Sequence, residues 1–252
     1  IGNPRYFEEY RNWSNFFNNK NNFEKKIKNT NISDEFLIPA AGESKRFKKK
    51  GIHLPKYSIF LKVSKKRIIE YINNFLPKKK KRIIVLKKDY NKKFLNEKIF
   101  DTILLDNKTN GQAHTIFKIL NLIKDNRSLF INSCDVFSVF NINKFLKLKK
   151  DADIILFVSS KSFQDLKDNE YTWVDSKKDN LLNLYIKNKP RKNLKILTGN
   201  FYFKNKSIFL KCFQSTFNQT TKEIYIDNII RKSLELNYNV KVLEDDHYIN
   251  FG

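Results

Sequence analysis

Short apolar runs separated by stretches of helical spacing restrict the folds open to this chain. Phe36-Leu-Ile38, Lys81-Arg-Ile-Ile-Val-Leu86 and Ser128-Leu-Phe-Ile131 are each long enough for a buried strand and too short for a buried helix. Ile99 to Leu105 gives another strand, and Tyr57 to Val63 a further short one. Between them, Arg67 to Phe75 sets Ile68, Ile69, Ile72 and Phe75 on one side of a helix, and Gly111 to Ile123 predicts a helix opening at a glycine turn. This alternation predicts an α/β fold, Rossmann-like and doubly wound, with a mainly parallel mixed sheet flanked by helices. The second half is less regular. Strands are expected at Asp153 to Ser159, Thr172 to Asp175, Leu182 to Lys187 and Leu197 to Lys204, then a helix at Glu223 to Leu236, then strands at Val240 to Leu243 and Tyr248 to Phe251.

In doubly wound sheets, ligands sit beyond the carboxyl ends of the strands. Two such ends carry chemistry here. Phe36-Leu-Ile runs into Pro39-Ala-Ala-Gly-Glu-Ser-Lys-Arg46, followed by Gly51-Ile-His-Leu-Pro-Lys56. Ala40, Ala41 and Gly42 let the backbone approach a ligand closely, and successive N–H groups in such a turn form a concavity for anions. Ser44 adds a hydroxyl, and Arg46 and Lys56 add charge from two sides. The second end, Asn132-Ser-Cys-Asp135, leaves a carboxylate at a strand exit, where it can hold Mg²⁺ beside phosphate oxygens and water. On residue types alone, a solvated surface loop and a turn-capping aspartate explain these stretches as well.

The ordered set of motifs resembles the nucleotidylyltransferases that activate sugar phosphates, and within them the subgroup of capsule and surface-polysaccharide pathways. There an apolar strand enters Ala-Ala-Gly, an Arg follows, then Phe and Gly, then Pro-Lys; Arg46-Phe47, Gly51 and Pro55-Lys56 fit. Ser44 and Lys45 stand where the family often has a second glycine. The resemblance implies the fold of nucleotide-diphospho-sugar transferases. It implies Arg46 and Lys56 as catalytic residues, and Ala40, Ala41, Gly42, Ser44, Gly111 and Gln112 around the nucleotide. Lys189, Gly199 and Glu223 would meet the acceptor, and Asp135 with Asn250 would hold Mg²⁺, with Asp227 in reserve. In Lys189-Pro190 the preceding residue is Asn188 where the family carries Glu, so the usual sugar contact is missing there. A neutral Asn250 would hold the metal more weakly than a second carboxylate. His114 is expected to be a satisfied helix residue.

The implied activity is transfer of a nucleoside monophosphate from an NTP to a sugar phosphate or similar acceptor, with release of pyrophosphate. Two other classes compete. A metal-dependent glycosyltransferase shares this type of sheet, but its usual Asp-x-Asp is here Asp135-Val-Phe137. A polyanion-binding module is suggested by a formal charge of +24. Against it, Lys far outnumbers Arg, Asn and Ile are abundant, and no aromatic stacking platform is visible, a composition that fits drift rather than a nucleic-acid surface. Two cysteines, Cys134 and Cys212, make no disulfide framework, and no apolar run approaches a membrane span, so a cytoplasmic setting is expected. Residues 1–33 form a polar extension ahead of a nucleotidyltransferase domain at 34–252. Ile1 to Trp13 reads either as the tail of a preceding domain or as an unrelated N-terminal helix, and the resemblance allows a larger multidomain protein or an oligomer.

Overall fold

Leu37 points to one face of its strand and Phe36 and Ile38 to the other, and all three are buried because helices cover both faces. The computed structural model describes residues 30–49, 51–62, 64–73, 76, 81–90, 92–93, 95–160, 169–188, 190, 194–218 and 223–251, and scattered positions before residue 30; the side chains of Lys45 and Arg46 are not among them. The elements in chain order are β1 (Glu35–Pro39), α1 (Lys45–Lys49), β2 (Phe60–Leu61), β3 (Lys66–Arg67), α2 (Ile68–Asn73), β4 (Arg82–Lys87) and β5 (Phe100–Leu105). Then come α3 (Gln112–Phe117), β6 (Leu129–Asn132), β7 (Val136–Phe140), α4 (Ile142–Asp151), β8 (Ile154–Ser159), β9 (Thr172–Lys177) and β10 (Asn180–Ile186). β11 (Lys195–Phe203), α5 (Lys206–Phe217), α6 (Ile226–Glu235) and β12 (Val240–Asn250) complete the chain.

β5, β4, β1 and β6 run parallel, with Leu37 between Ile83 and Ile131. β11 is antiparallel to both β6 and β8, and β8 is parallel to β12. β12 pairs with β10 and β10 with β9, and β9 pairs again with β11, so the second half of the sheet closes on itself. One face packs under α3, α5 and α6 through Ile116, Phe213, Ile229 and Ile230. The other packs under α2 and α4 through Ile69, Ile72 and Phe145, with Phe130 and Phe157 edge to face at 5.4 Å between them. Asn141 and Asn205 cap α4 and α5, each side chain accepting an amide of the first turn at 3.0 Å.

The α/β mixed sheet matches the expected fold. Four expectations need correction. Tyr57 to Val63 is not one strand: Lys56–Ser58 is a 3₁₀ turn that buries Tyr57, and among the described residues the paired strand is Phe60–Leu61. The helix expected at Gly111 to Ile123 ends at Phe117, and Leu120–Leu122 is a separate 3₁₀ turn. The last two strands are one, β12, with an irregularity between Asp245 and His247 as it leaves β8 and joins β7. β7, α4 and α5 were not anticipated. Lys189 and most of residues 1–33 lie outside the described residues, although Ile27 and Ile32 bury against the same face as Phe36. Among the described residues, no helix is long and apolar enough to cross a membrane.

Candidate active site

Because β1 and β6 are parallel neighbours, their exits open at one end of the sheet. The loop after β1 begins in register, with Ala40 donating its N–H to the Val85 carbonyl at 2.9 Å. The N–H groups of Ala41, Gly42 and Ser44 meet no acceptor among the described residues, the state expected of a loop that awaits an anion. Ser44 holds a positive φ of 53°, and its carbonyl accepts the amides of Phe47 and Lys48 to start α1. The backbone of Arg46 lies in that first turn.

The hydroxyl of Ser44 accepts the backbone N–H of Lys56 at 3.2 Å, which brings the two ends of the loop together. Pro55, at φ −60°, presets the turn on which Lys56 stands. The Lys56 ammonium reaches across to Asp135, Nζ to Oδ2 2.6 Å, with the Phe47 ring 5.6 Å below it. Asp135 occupies the tight connection between β6 and β7. Its carbonyl accepts the amide of Phe251 at 2.9 Å, and its neighbour Val136 stands opposite Asn250. Asn250 is thus one ladder position from the carboxylate, and its side chain engages the Tyr248 hydroxyl. Burial foremost, with Tyr171, Asp135 and Asp245 near, pushes Tyr248 up, so it stays a neutral phenol. The half-buried Cys134 thiol is pushed up to about 12, chiefly by loss of solvation and then by Asp135, and is no nucleophile there.

Among the described residues, no three His, Cys, Asp or Glu side chains converge as a metal cage. One carboxylate with one neighbouring amide does suit Mg²⁺, which binds through one or two protein oxygens and fills its other positions with phosphate and water. The chemistry of Asp135 and Asn250 is compatible with such a partial donor set.

Gly111 and Gly199 bring the remaining segments in. At Gly111, φ is 96°, and a Cβ would stand 2.3 Å from the Ile224 carbonyl oxygen. That approach lets Ala113 donate to Ile224 at 3.2 Å and Ile224 to Asn110 at 2.9 Å. Gln112 then reaches back, its Nε2 donating to Ser133 Oγ at 2.9 Å. Gly199, at φ 95°, lies so close to Ser133 that a Cβ would sit 2.9 Å from the same hydroxyl oxygen, and its carbonyl accepts the Ser133 amide at 3.1 Å. Ser133 joins Gln112 to Gly199, and its one signal in the sequence is its place two residues before Asp135. Glu223 is exposed beside Gly111 and accepts the Tyr225 hydroxyl at 2.7 Å, and the Lys187 ammonium lies 4.6 Å above the Tyr225 ring. Asp227, the reserve metal candidate, is engaged by the Thr172 hydroxyl, with Lys187 and Arg231 near. His114, within α3, accepts the Asn110 amide on Nδ1 at 3.1 Å, and burial, then Lys118, lowers its pKa; it is a satisfied helix residue.

A family model described as "Nucleotidyl transferase" matches residues 37–249. No curated protein sequence gives a match. A nucleoside-diphosphate-sugar pyrophosphorylase from Vibrio cholerae RC9 superposes with a TM-score of 0.67 at 19% identity, over 86% of this chain and 95% of its own. An inositol-1-phosphate CTP transferase from T. maritima gives 0.67 at 19% identity, over 87% and 89%. A UTP-bound UGPase from Acinetobacter baumannii gives 0.64 at 13% identity, over 86% and 87%. At such identities the likeness is one of fold.

Proposed function

The chain belongs to the nucleotidyl transferase family, and from that premise we propose that it transfers a nucleoside monophosphate from an NTP to a sugar phosphate or related small phosphorylated acceptor, releasing pyrophosphate. The observation that carries this reading is the meeting of Lys56 with Asp135 beside a loop in which the N–H groups of Ala41, Gly42 and Ser44 meet no acceptor among the described residues. A cation, a carboxylate and a set of N–H donors at one mouth suit a triphosphate and its counter-charge.

The acceptor phosphate is already ionised near neutral pH, so no general base is required. Its oxygen attacks the α-phosphorus as the bond to the pyrophosphate oxygen breaks, and the leaving charge ends on pyrophosphate. What the protein contributes is alignment and charge stabilisation. The amides of Ala41, Gly42 and Ser44, behind the strand end at Ala40, bind the β- and γ-phosphates with Arg46. Lys56 neutralises the α-phosphate, and Lys189 holds the acceptor phosphate. Gly111 and Gln112 face the base. Gly199 and Glu223 border the acceptor. Asp135 and Asn250 would hold Mg²⁺, which when bound supplies further neutralisation of the phosphates.

The capsule-type opening motif makes a cytoplasmic precursor of a surface polysaccharide the product class to examine first. The test is pyrophosphate release by the purified protein with Mg²⁺, across CTP, GTP, UTP, dTTP and ATP and a panel of sugar 1-phosphates and polyol phosphates. Release that needs both an NTP and an acceptor supports the proposal. Silence across the panel, or release of NDP from a nucleotide sugar, refutes it.

A further inference from the structure

A loop that binds phosphate through its backbone works only if its peptide planes are fixed. Here the loop is tied at its start by the Ala40 bond to Val85 and at its end by the Ser44 bond to Lys56. At its middle, nothing among the described residues lies within 4 Å of the place a Cβ would take at Gly42. A side chain from another element bonds its backbone at Gly42. The Tyr90 hydroxyl donates to the Gly42 carbonyl at 2.7 Å, across 48 residues of sequence.

Tyr90 is itself firmly placed. It stands in the turn after β4, its amide bonded to the Lys87 carbonyl at 2.9 Å, and its ring meets that of Tyr57 at 6.2 Å. Tyr57 is fully buried and adjoins Lys56. A trans peptide is planar, with C=O and N–H pointing opposite ways, so drawing the Gly42 carbonyl toward Tyr90 sets the Glu43 N–H away from it. Glycine permits many orientations of this peptide, and the hydroxyl selects one. The Glu43 carboxylate, which would repel a phosphate, is paired with Lys108 at 3.2 Å.

We propose that Tyr90 is a positioning residue for the triphosphate: its hydroxyl locks the Gly42–Glu43 peptide so that the loop amides face the β- and γ-phosphates. This rests on the phosphate-loop reading and adds to it a residue that touches no substrate. Burial foremost, then Glu43, raises the phenol's pKa, which keeps it a donor throughout the neutral range.

Inorganic pyrophosphate with Mg²⁺ is the probe, because it is common to every base and acceptor. Its affinity is measured by calorimetric titration for the full chain, for Tyr90→Phe and for Tyr238→Phe, a change near Asp153 at the opposite end of the sheet. Tyr90→Phe weakens pyrophosphate about fivefold, the usual worth of one hydrogen bond, while its melting temperature stays at the wild-type value. Tyr238→Phe leaves the affinity unchanged. Equal affinity in Tyr90→Phe and wild type overturns the proposal, as does a loss that only accompanies a lowered melting temperature. If the wild type itself takes up no pyrophosphate, the phosphate loop has been misread and the role of Tyr90 falls with it.

Discussion

Lys56 Nζ and Asp135 Oδ2 are 2.6 Å apart although 79 residues separate them in the chain. The pair is only partly exposed, with side-chain exposures of 20% and 14%. In the proposed mechanism the cation meets the α-phosphate of an NTP and the carboxylate its metal. Lys56→Ala removes charge stabilisation at the reacting phosphorus and lowers turnover by about 100-fold or more in a pyrophosphate-release assay. Lys56→Arg restores part of it, because a guanidinium keeps the charge but not the compact ammonium geometry. Near-normal turnover in Lys56→Ala would remove this residue from the mechanism.

Gly111 and Gly42 differ in what a methyl group would meet. At Gly111 a Cβ would collide with the Ile224 carbonyl at 2.3 Å, on a backbone at φ 96°. Gly111→Ala therefore lowers stability by about 2–3 kcal/mol in urea unfolding, through strain and overpacking together. At Gly42 nothing lies within 4 Å. Gly42→Ala keeps stability within about 0.5 kcal/mol but loses nucleotide affinity, since the new methyl stands among the loop amides. Equal melting curves for the two variants would contradict this division.

The sheet's parallel half was legible because its strands are buried on both faces, so Phe36 to Ile38 and Ser128 to Ile131 read as unbroken apolar runs. β7 was not. Its Val-Phe-Ser-Val-Phe run follows the aspartate turn directly, and what makes it a strand is pairing with Tyr248 and Ile249 more than a hundred residues on. β12 was split in the reading because Glu244-Asp-Asp-His247 looks like a polar loop, yet Asp245 lies inside. α4 carries only a short local signal, Ile142 and Phe145 three apart and buried. The candidate site was legible as motifs but not as contacts. Residue spacing cannot show that Gln112 bonds Ser133, that Tyr90 bonds Gly42, or that a 3₁₀ turn rather than a strand presents Lys56.

Asn250 stands one ladder position from Asp135 with a neutral amide where a second carboxylate could be. Mg²⁺ affinity in oxygen sites rises with the number of ligand charges. Asn250→Asp lowers the Mg²⁺ concentration for half-maximal activity by roughly 10-fold, and Asn250→Ala raises it. The titration of activity against Mg²⁺ decides. An identical midpoint in all three proteins would place Asn250 outside the metal's reach.

Asp245 is the deepest acid of the region, 6% exposed, and neither carboxyl oxygen meets a donor in hydrogen-bonding geometry. The Thr198 and Ser138 hydroxyls are near; Thr198 commits its proton to the Phe157 carbonyl at 3.0 Å, while Ser138 accepts from Asn200 at 2.6 Å and keeps its own proton. Burial dominates and raises the folded-state pKa well above the ordinary carboxylate value, against the smaller opposing pull of those hydroxyls. The folded chain therefore holds a proton that the unfolded chain, titrating near pH 4, has released. Stability from this group is complete below about pH 4 and is lost as pH rises toward the folded-state pKa. Asp245→Asn keeps the shape and removes the titration. Its melting temperature exceeds the wild type's by roughly 2–6 °C at pH 8 and by less at pH 5, so the gap widens with pH. Parallel pH profiles for the two proteins, or a variant that melts lower at pH 8, would mean that the carboxylate is compensated in solution, for instance by a bound cation.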